Sequence, residues 1–350
     1  MSRHARYLCM LLLVVAVLAS AMWLLARGRQ GAAGRPGNAL QMVPVQALVV
    51  VTADLNAIRT GPYHQLILSD AVPGLGGASC KTQVVDRLQQ LAIWTSSERP
   101  DELGVVALGA FTQQAVWECA RDTIEQRGGR ASSRAERGFQ LIVDETLRPE
   151  AAQIAVRSPG LLLVGPEGAR SAMIAALEQG PDGPDAGMHA GMRRELGLEG
   201  DVILSAFVGP EFKRKIERMA EEPTPALDAL ESVAAAVQLG ATTRLQMLLW
   251  CRTAEACDAL ADRLQARRVS LVQSLPMVAT GVAALVQGAR VERQGTRLRV
   301  SAEAASTQVL DVLQRLGSGA THVPVPGSHR TTPHPAGSLP RNATPAVSDR

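Results

Sequence analysis

The sequence predicts an α+β fold. Two similar open-faced units, each a sheet with helices on one face, come from an internal duplication and follow an N-terminal transmembrane helix. Three observations predict it. Leu8 to Ala26 is an uncharged apolar run behind the basic start Ser2-Arg3-His4-Ala5-Arg6, about the ~20 residues a helix needs to cross a bilayer. Beyond it, short β-branched runs alternate with segments of helical period, the pattern of hairpin-linked strands with helices packed on the sheet. That order then recurs, with Cys119 and Cys257 as landmarks at a shift of about 138 residues.

The elements follow in order. Ala19-Ser20-Ala21 offers a signal-peptidase site, but Met22-Trp23-Leu24-Leu25-Ala26 continues the apolar run past it, so an uncleaved signal anchor over residues 1–26 is expected. Residues 27–39 read as a flexible Gly/Ala/Arg linker. Val45 to Thr52 is a β-branched strand, and Asp54 caps a short helix that Gly61-Pro62 ends. Cys80 to Gln90 has helical spacing, Ala92–Thr95 and Gly104–Gly109 read as strands, and Thr112 caps a helix that runs to Arg127. Strands over Phe139–Val143, Gln153–Val156 and Leu161–Val164 and a helix over Ala169–Gln179 complete a first repeat, residues 40–180.

Residues 181–200, rich in Gly, Pro and Asp, read as an inter-repeat loop. The second repeat, residues 201–317, begins with a strand over Val202–Val208. Helices over Glu211–Met219 and Ala226–Ser232 come next, then strands over Ala235–Leu239 and Arg244–Cys251. Thr253 caps a helix through Arg268, Leu271–Gln287 is helical apart from Pro276, and a hairpin turns at Gln294-Gly295 before a closing helix over Glu303–Leu316. Residues 318–350 have no apolar period and are rich in Pro, Ser and Thr, the signature of a disordered tail.

After the anchor and linker, the opening Pro44-x-x-Ala47-Leu48-Val49-Val50-Val51-x-x-Asp54-Leu55 resembles membrane-anchored bacterial extracytoplasmic proteins without a characterised activity. The resemblance spans about twelve residues and implies an address only.

Four cysteines lie outside the apolar run, at 80, 119, 251 and 257. An even number in an exported domain indicates disulfides. Three connectivities are possible. Keeping each bridge within one repeat joins Cys80 to Cys119 and Cys251 to Cys257, which loop entropy values at roughly 4 and about 2.4 kcal/mol. The alternative is four buried thiols. The Cys251-to-Cys257 spacing does not fit a zinc knuckle, and no metal or other cofactor is expected.

Composition narrows the function classes. Formal net charge is +3 and aromatics are 3%. Basic residues are interleaved with acidic ones, so the clustered basic face and stacking platforms of nucleic-acid binders are missing, and no nucleic-acid partner is expected. No His-Glu-x-x-His, Gly-x-Ser-x-Gly, phosphate loop or Ser-x-x-Lys occurs, so no catalytic residue is assigned. The nearest approach to a ligand site is Gly165-Pro-Glu-Gly168-Ala-Arg170, a strand-to-helix turn where Gly165, Gly168 and Arg170 would meet an anion; Glu167 sits where the anion would approach, and a plain turn is the simpler reading. Asp54 is the other weak ligand candidate, against its simpler role as a cap. His64 and His189 read as solvated loop residues, and Lys213-Arg214-Lys215 as the solvated face of a helix.

The expected protein is therefore a single-pass inner-membrane protein held through residues 8–26, with its C-terminal region in the periplasm. It binds or scaffolds an envelope protein or a small ligand and is not an enzyme. The alternatives are a hydrolase or transferase of unrecognised type, which would bring Asp54, His64 or Arg170 together in a pocket, and a cytoplasm-facing regulatory domain with reduced cysteines.

Overall fold

The computed structural model describes residues 38–44, 46–63, 78–96, 103–148, 151–179, 186–197, 200–210, 213–214, 228–274, 277–278 and 281–319. The expected anchor at residues 8–26 and the tail beyond residue 319 lie outside them. Among the described residues, no helix is long and apolar enough to cross a membrane.

The valine run after the linker forms β1 (Ala47–Asp54). Val50 and Val51 point to opposite faces, yet both are buried, so this strand is covered on both sides. The remaining strands are β2 (Leu88–Ser96), β3 (Leu103–Gly109), β4 (Ala131–Glu136), β5 (Phe139–Asp144), β6 (Gln153–Arg157), β7 (Leu161–Gly165), β8 (Val202–Phe207), β9 (Leu230–Leu239), β10 (Thr242–Cys251), β11 (Arg290–Gln294) and β12 (Arg297–Ala305). These strands form one sheet in the order β11-β12-β10-β9-β8-β1-β2-β3-β7-β6-β5-β4, and every neighbouring pair is antiparallel.

The fold is thus a mixed helix–sheet architecture on a single large antiparallel sheet. The expected side-by-side units are instead fused edge to edge, because β1 pairs with β8 from Val49↔Ala206 to Ala53↔Val202. The helices are not confined to one face either. On the face of Val51, here the front, lie α1 (Leu55–Thr60), α3 (Gln113–Gln126), α6 (Ala254–Val272) and α8 (Ser306–Gly319). On the back, the face of Val50, lie a 3₁₀ turn (Ala39–Met42), α4 (Glu167–Gln179) and α5 (Ala186–Leu196). Shorter helices α2 (Ala78–Gln83) and α7 (Val282–Gln287) complete the description. A sheet this apolar on both sides requires cover on both sides.

Other local expectations also change. The linker ends earlier than expected: Asn38 caps the Ala39–Met42 turn and Ala39 is buried. The helix expected over Cys80–Gln90 stops at Gln83, because Leu88 already belongs to β2. The helix expected over Ala226–Ser232 gives way from Leu230 onward to β9, whose alanines pair with β8 on one side and β10 on the other; flanking strands override helix propensity there. Strand β4, ASSRAE, carries no apolar signal and is an edge strand whose strand partner among the described residues is β5. The inter-repeat loop expected over residues 181–200 contains α5.

Candidate functional site

The segment that joins β7 and α4 to β8 shapes the most developed polar site among the described residues. In α5, His189, Met192, Arg193 and Leu196 have the i, i+3, i+4, i+7 spacing of one helix face. Met192 and Leu196 bury themselves on Ala234, Ala236 and Leu248 of β9 and β10. His189 and Arg193 reach instead across the β8/β1 seam. Gly197, with φ +64, ends the helix and its N–H donates to the Arg194 carbonyl, as a glycine just past a helix C-terminus does.

His189 is 4% exposed and was expected in solvent. Its Nε2 lies 3.0 Å from the Ala47 carbonyl and its Nδ1 2.8 Å from Ser205 Oγ. A carbonyl only accepts, so Nε2 carries the proton and the Ser205 hydroxyl donates to Nδ1. Burial, and the nearby Arg193 charge, hold the imidazole below its ordinary range. This resembles a nucleophile–base pair, but Ser205 is fully buried and its oxygen also accepts from Arg193 Nε at 3.1 Å. A hydroxyl sealed from substrate and bonded on both sides is a structural clip, not a nucleophile.

Arg193 completes the clip. Nη1 donates to Thr52 Oγ1 at 2.7 Å, and Nη2 to the Val50 and Ile203 carbonyls at 3.3 and 3.5 Å. Burial lowers its pKa to about 10. On the front face a second polar chain crosses between the halves: Tyr63 Oη meets Thr243 Oγ1, which lies 2.8 Å from Ser306 Oγ, which donates to the Gly240 carbonyl at 2.6 Å.

Beside the α5 clip is an open cleft of about 1000 Å³. Its walls include Asn38 and Leu40 of the N-terminal turn, Thr52 and Asp54 of β1, Gln90 of β2, and Ala190, Arg193 and Arg194 of α5. The cleft exists because α8 fills the front of the seam with Val309, Leu310 and Leu313, whereas on the back α5 and the N-terminal turn cover it only in part.

The sequence-derived candidates fare unevenly. Asp54 lines the cleft, but its Oδ1 accepts from the Asn56 and Ala57 amides at 2.9 and 3.1 Å, the cap expected of it. Gly165 ends β7 and Gly168 is exposed in α4. Arg170 does not face that turn. It is 1% exposed and its Nη1 bonds Glu136 Oε1 at 2.7 Å, an ion pair that depresses the Glu136 carboxyl. Asp54 and Arg170 are therefore not brought together, and His64 lies outside the described residues. Lys213 pairs with Asp228 at 3.0 Å. No group of three His, Cys, Asp or Glu suited to a metal occurs among the described residues.

Both expected cysteine pairs lie at disulfide distance, with Cα separations of 4.7 Å for Cys80–Cys119 and 5.4 Å for Cys251–Cys257. Sequence reading missed His189, Arg193, Thr52 and Ser205. The available signal was the helical spacing of 189, 192, 193 and 196, masked by the Gly, Pro and Asp of residues 181–185.

No known protein family and no curated protein matches the sequence. Among solved structures, crystal form I of TP0453 is similar at 15% identity and a TM-score of 0.47, over 82% of this chain and 99% of that one.

Proposed function

We propose that this chain is a membrane-anchored, periplasm-facing binding protein without a catalytic role, and that its ligand occupies the cleft over the β1/β8 seam. The cleft carries the reading. It is preformed, it draws walls from β1, β2, β8 and α5, and it places a few polar groups in a partly apolar hollow, as small-ligand sites do. The sealed Ser205–His189 pair offers no accessible nucleophile to set against it. The apolar run at residues 8–26 supports the anchor, and the cysteine pairs support an oxidising compartment.

The duplication belongs to the same proposal. Three antiparallel strands lead to a cysteine-bearing helix in each half: β1-β2-β3 to α3, and β8-β9-β10 to α6. A hairpin then returns beside the third strand, β6-β7 on β3 and β11-β12 on β10. Hairpin β4–β5 is an insertion that widens the first half.

Two experiments test the reading. An alkaline phosphatase fusion after Asn38 is active in the periplasm and remains with membranes; an inactive fusion overturns the orientation. A small-molecule thermal-shift screen of the full chain yields ligands that Ala190→Trp, which fills the cleft, no longer admits. Ligands that stabilise wild type and variant equally remove the cleft as the site.

A further inference from the structure

Arg193 and Arg170 are the two arginines drawn deepest into the back of the sheet, and their surroundings differ. Arg170 has a carboxylate, Glu136 Oε1, at 2.7 Å. Arg193 donates to Ser205 Oγ, Thr52 Oγ1 and the carbonyls of Val50 and Ile203, all neutral oxygens. Those bonds satisfy geometry but leave the charge without a counter-charge among the described residues, a costly state for a part-buried cation. The two acids that line the same cleft each have one oxygen already engaged. Asp54 accepts from two amides of α1, and Asp201 Oδ2 accepts from the Leu239 amide at 2.5 Å.

Four donated bonds also leave one Nη1 hydrogen of Arg193 unassigned. Arg194, exposed, lines the cleft beside it. The amides of Asn38 and Gln90 stand across the opening, although Gln90 Oε1 already accepts from the Ala39 N–H at 3.1 Å. The lowered pKa of Arg193 has burial as its cause and no opposing carboxylate, in keeping with this geometry.

We propose that the ligand of this cleft presents an anionic group, a carboxylate or a phosphate, to Arg193 and Arg194. The proposal rests on the cleft being the ligand site. A guanidinium receives either group through paired N–H donors. At about 1000 Å³ the cleft exceeds a lone phosphate, so the anionic group is one end of a larger molecule. Its source is either a soluble metabolite-sized acid or the headgroup of an anionic lipid.

The test uses the full chain in nanodiscs of phosphatidylcholine, titrated calorimetrically with glutarate, glycerol phosphate and dihexanoyl phosphatidylglycerol. Glutaramide is the uncharged control. At least one anion binds, glutaramide does not, Arg194→Gln weakens binding about tenfold or more, and Ala190→Trp abolishes it. Tighter binding of the short-chain lipid than of the soluble acids identifies a headgroup as the source, and the reverse order a soluble acid. Arg194 is exposed, so its variant keeps the wild-type melting curve. Glutarate and glutaramide binding equally, with both blocked by Ala190→Trp, overturns the anionic group and leaves the cleft as the site. Anion binding that Ala190→Trp does not change overturns the cleft itself. Failure of every anion to bind at millimolar concentration overturns the proposal.

Discussion

The two sides of the sheet that meet at the β1/β8 seam place their closing helices on opposite faces. After β7, α4 packs on the back, where Leu161 and Leu163 of β7 and Ala155 of β6 are buried beneath Met173 and Ile174. After β12, α8 packs on the front, its Val309, Leu310 and Leu313 joining the cluster of Val51, Leu91, Val202 and Leu239. The strands explain the choice. Through the register Leu248↔Arg299 and Trp250↔Arg297, the back of β12 carries Arg297, Arg299 and Ser301, and the back of β11 carries Arg290, Glu292 and Gln294. An apolar helix face has nothing to bury there. The hairpin turns its valines and leucine, Val291, Val300 and Leu298, toward α6 on the front. What this teaches is that topology and face are separate decisions. The pairing order of the strands leaves the face open, and the period-2 pattern on one hairpin sends the last helix to the front. Among the described residues α8 lies over the front of the seam, while on the back α5 and the N-terminal turn leave the cleft beside them.

The comparison is broken most severely at the disulfides. Cys80–Cys119 closes 39 residues of the first half and Cys251–Cys257 only 6 of the second. Loop entropy assigns about 4 kcal/mol to the first and about 2.4 kcal/mol to the second. Denaturant melts of the double serine variants therefore show the larger loss for Cys80→Ser with Cys119→Ser. Equal losses would mean that the bridges act through native contacts rather than the unfolded chain. Non-reducing peptide mapping is the companion check, and a Cys119–Cys257 peptide would reject the pairing.

The helices give the next largest effect. Met173 of α4 is fully buried and Val312 of α8 is 7% exposed. Met173→Ala is expected to cost about 3 kcal/mol and Val312→Ala about 1 kcal/mol, read from urea midpoints. A larger loss at Val312 would make α8 the anchor of the seam and reverse the ranking.

The smallest effect is the pH response of the clip that α5 makes across the seam. Burial keeps the folded His189 pKa below the unfolded value of about 6.5. The unfolded chain then binds the proton more readily. The contribution of His189 is complete above about pH 6.5 and is lost as pH falls below it. His189→Gln flattens the His189 part of that slope in stability-versus-pH curves, and an unchanged slope would show that other groups set it.

Much of this was legible in the chain. Thr112 and Thr253 cap their helices through the amides of Ala115 and Ala256, and Asp54 caps α1, because a cap is a contact between neighbours in sequence. The hairpin at Gln294-Gly295 was equally local, with Gly295 at φ +61. The cysteine pairing was readable because each bridge joins residues close along the chain, 39 and 6 apart. The candidate site was not. His189 looked like a loop residue because its partners, Ala47 and Ser205, lie 142 and 16 residues away, and nothing near it in sequence announces them. Arg170 looked like an anion ligand until the unforeseen strand β4 supplied Glu136. The sequence by itself determined many of the elements, the caps and the bridges, whose energies come from residues close along the chain. Only the tertiary structure decided that the two halves share one sheet, which face each helix covers, and where the seam stays open. Those outcomes depend on surfaces that exist only after distant strands have paired.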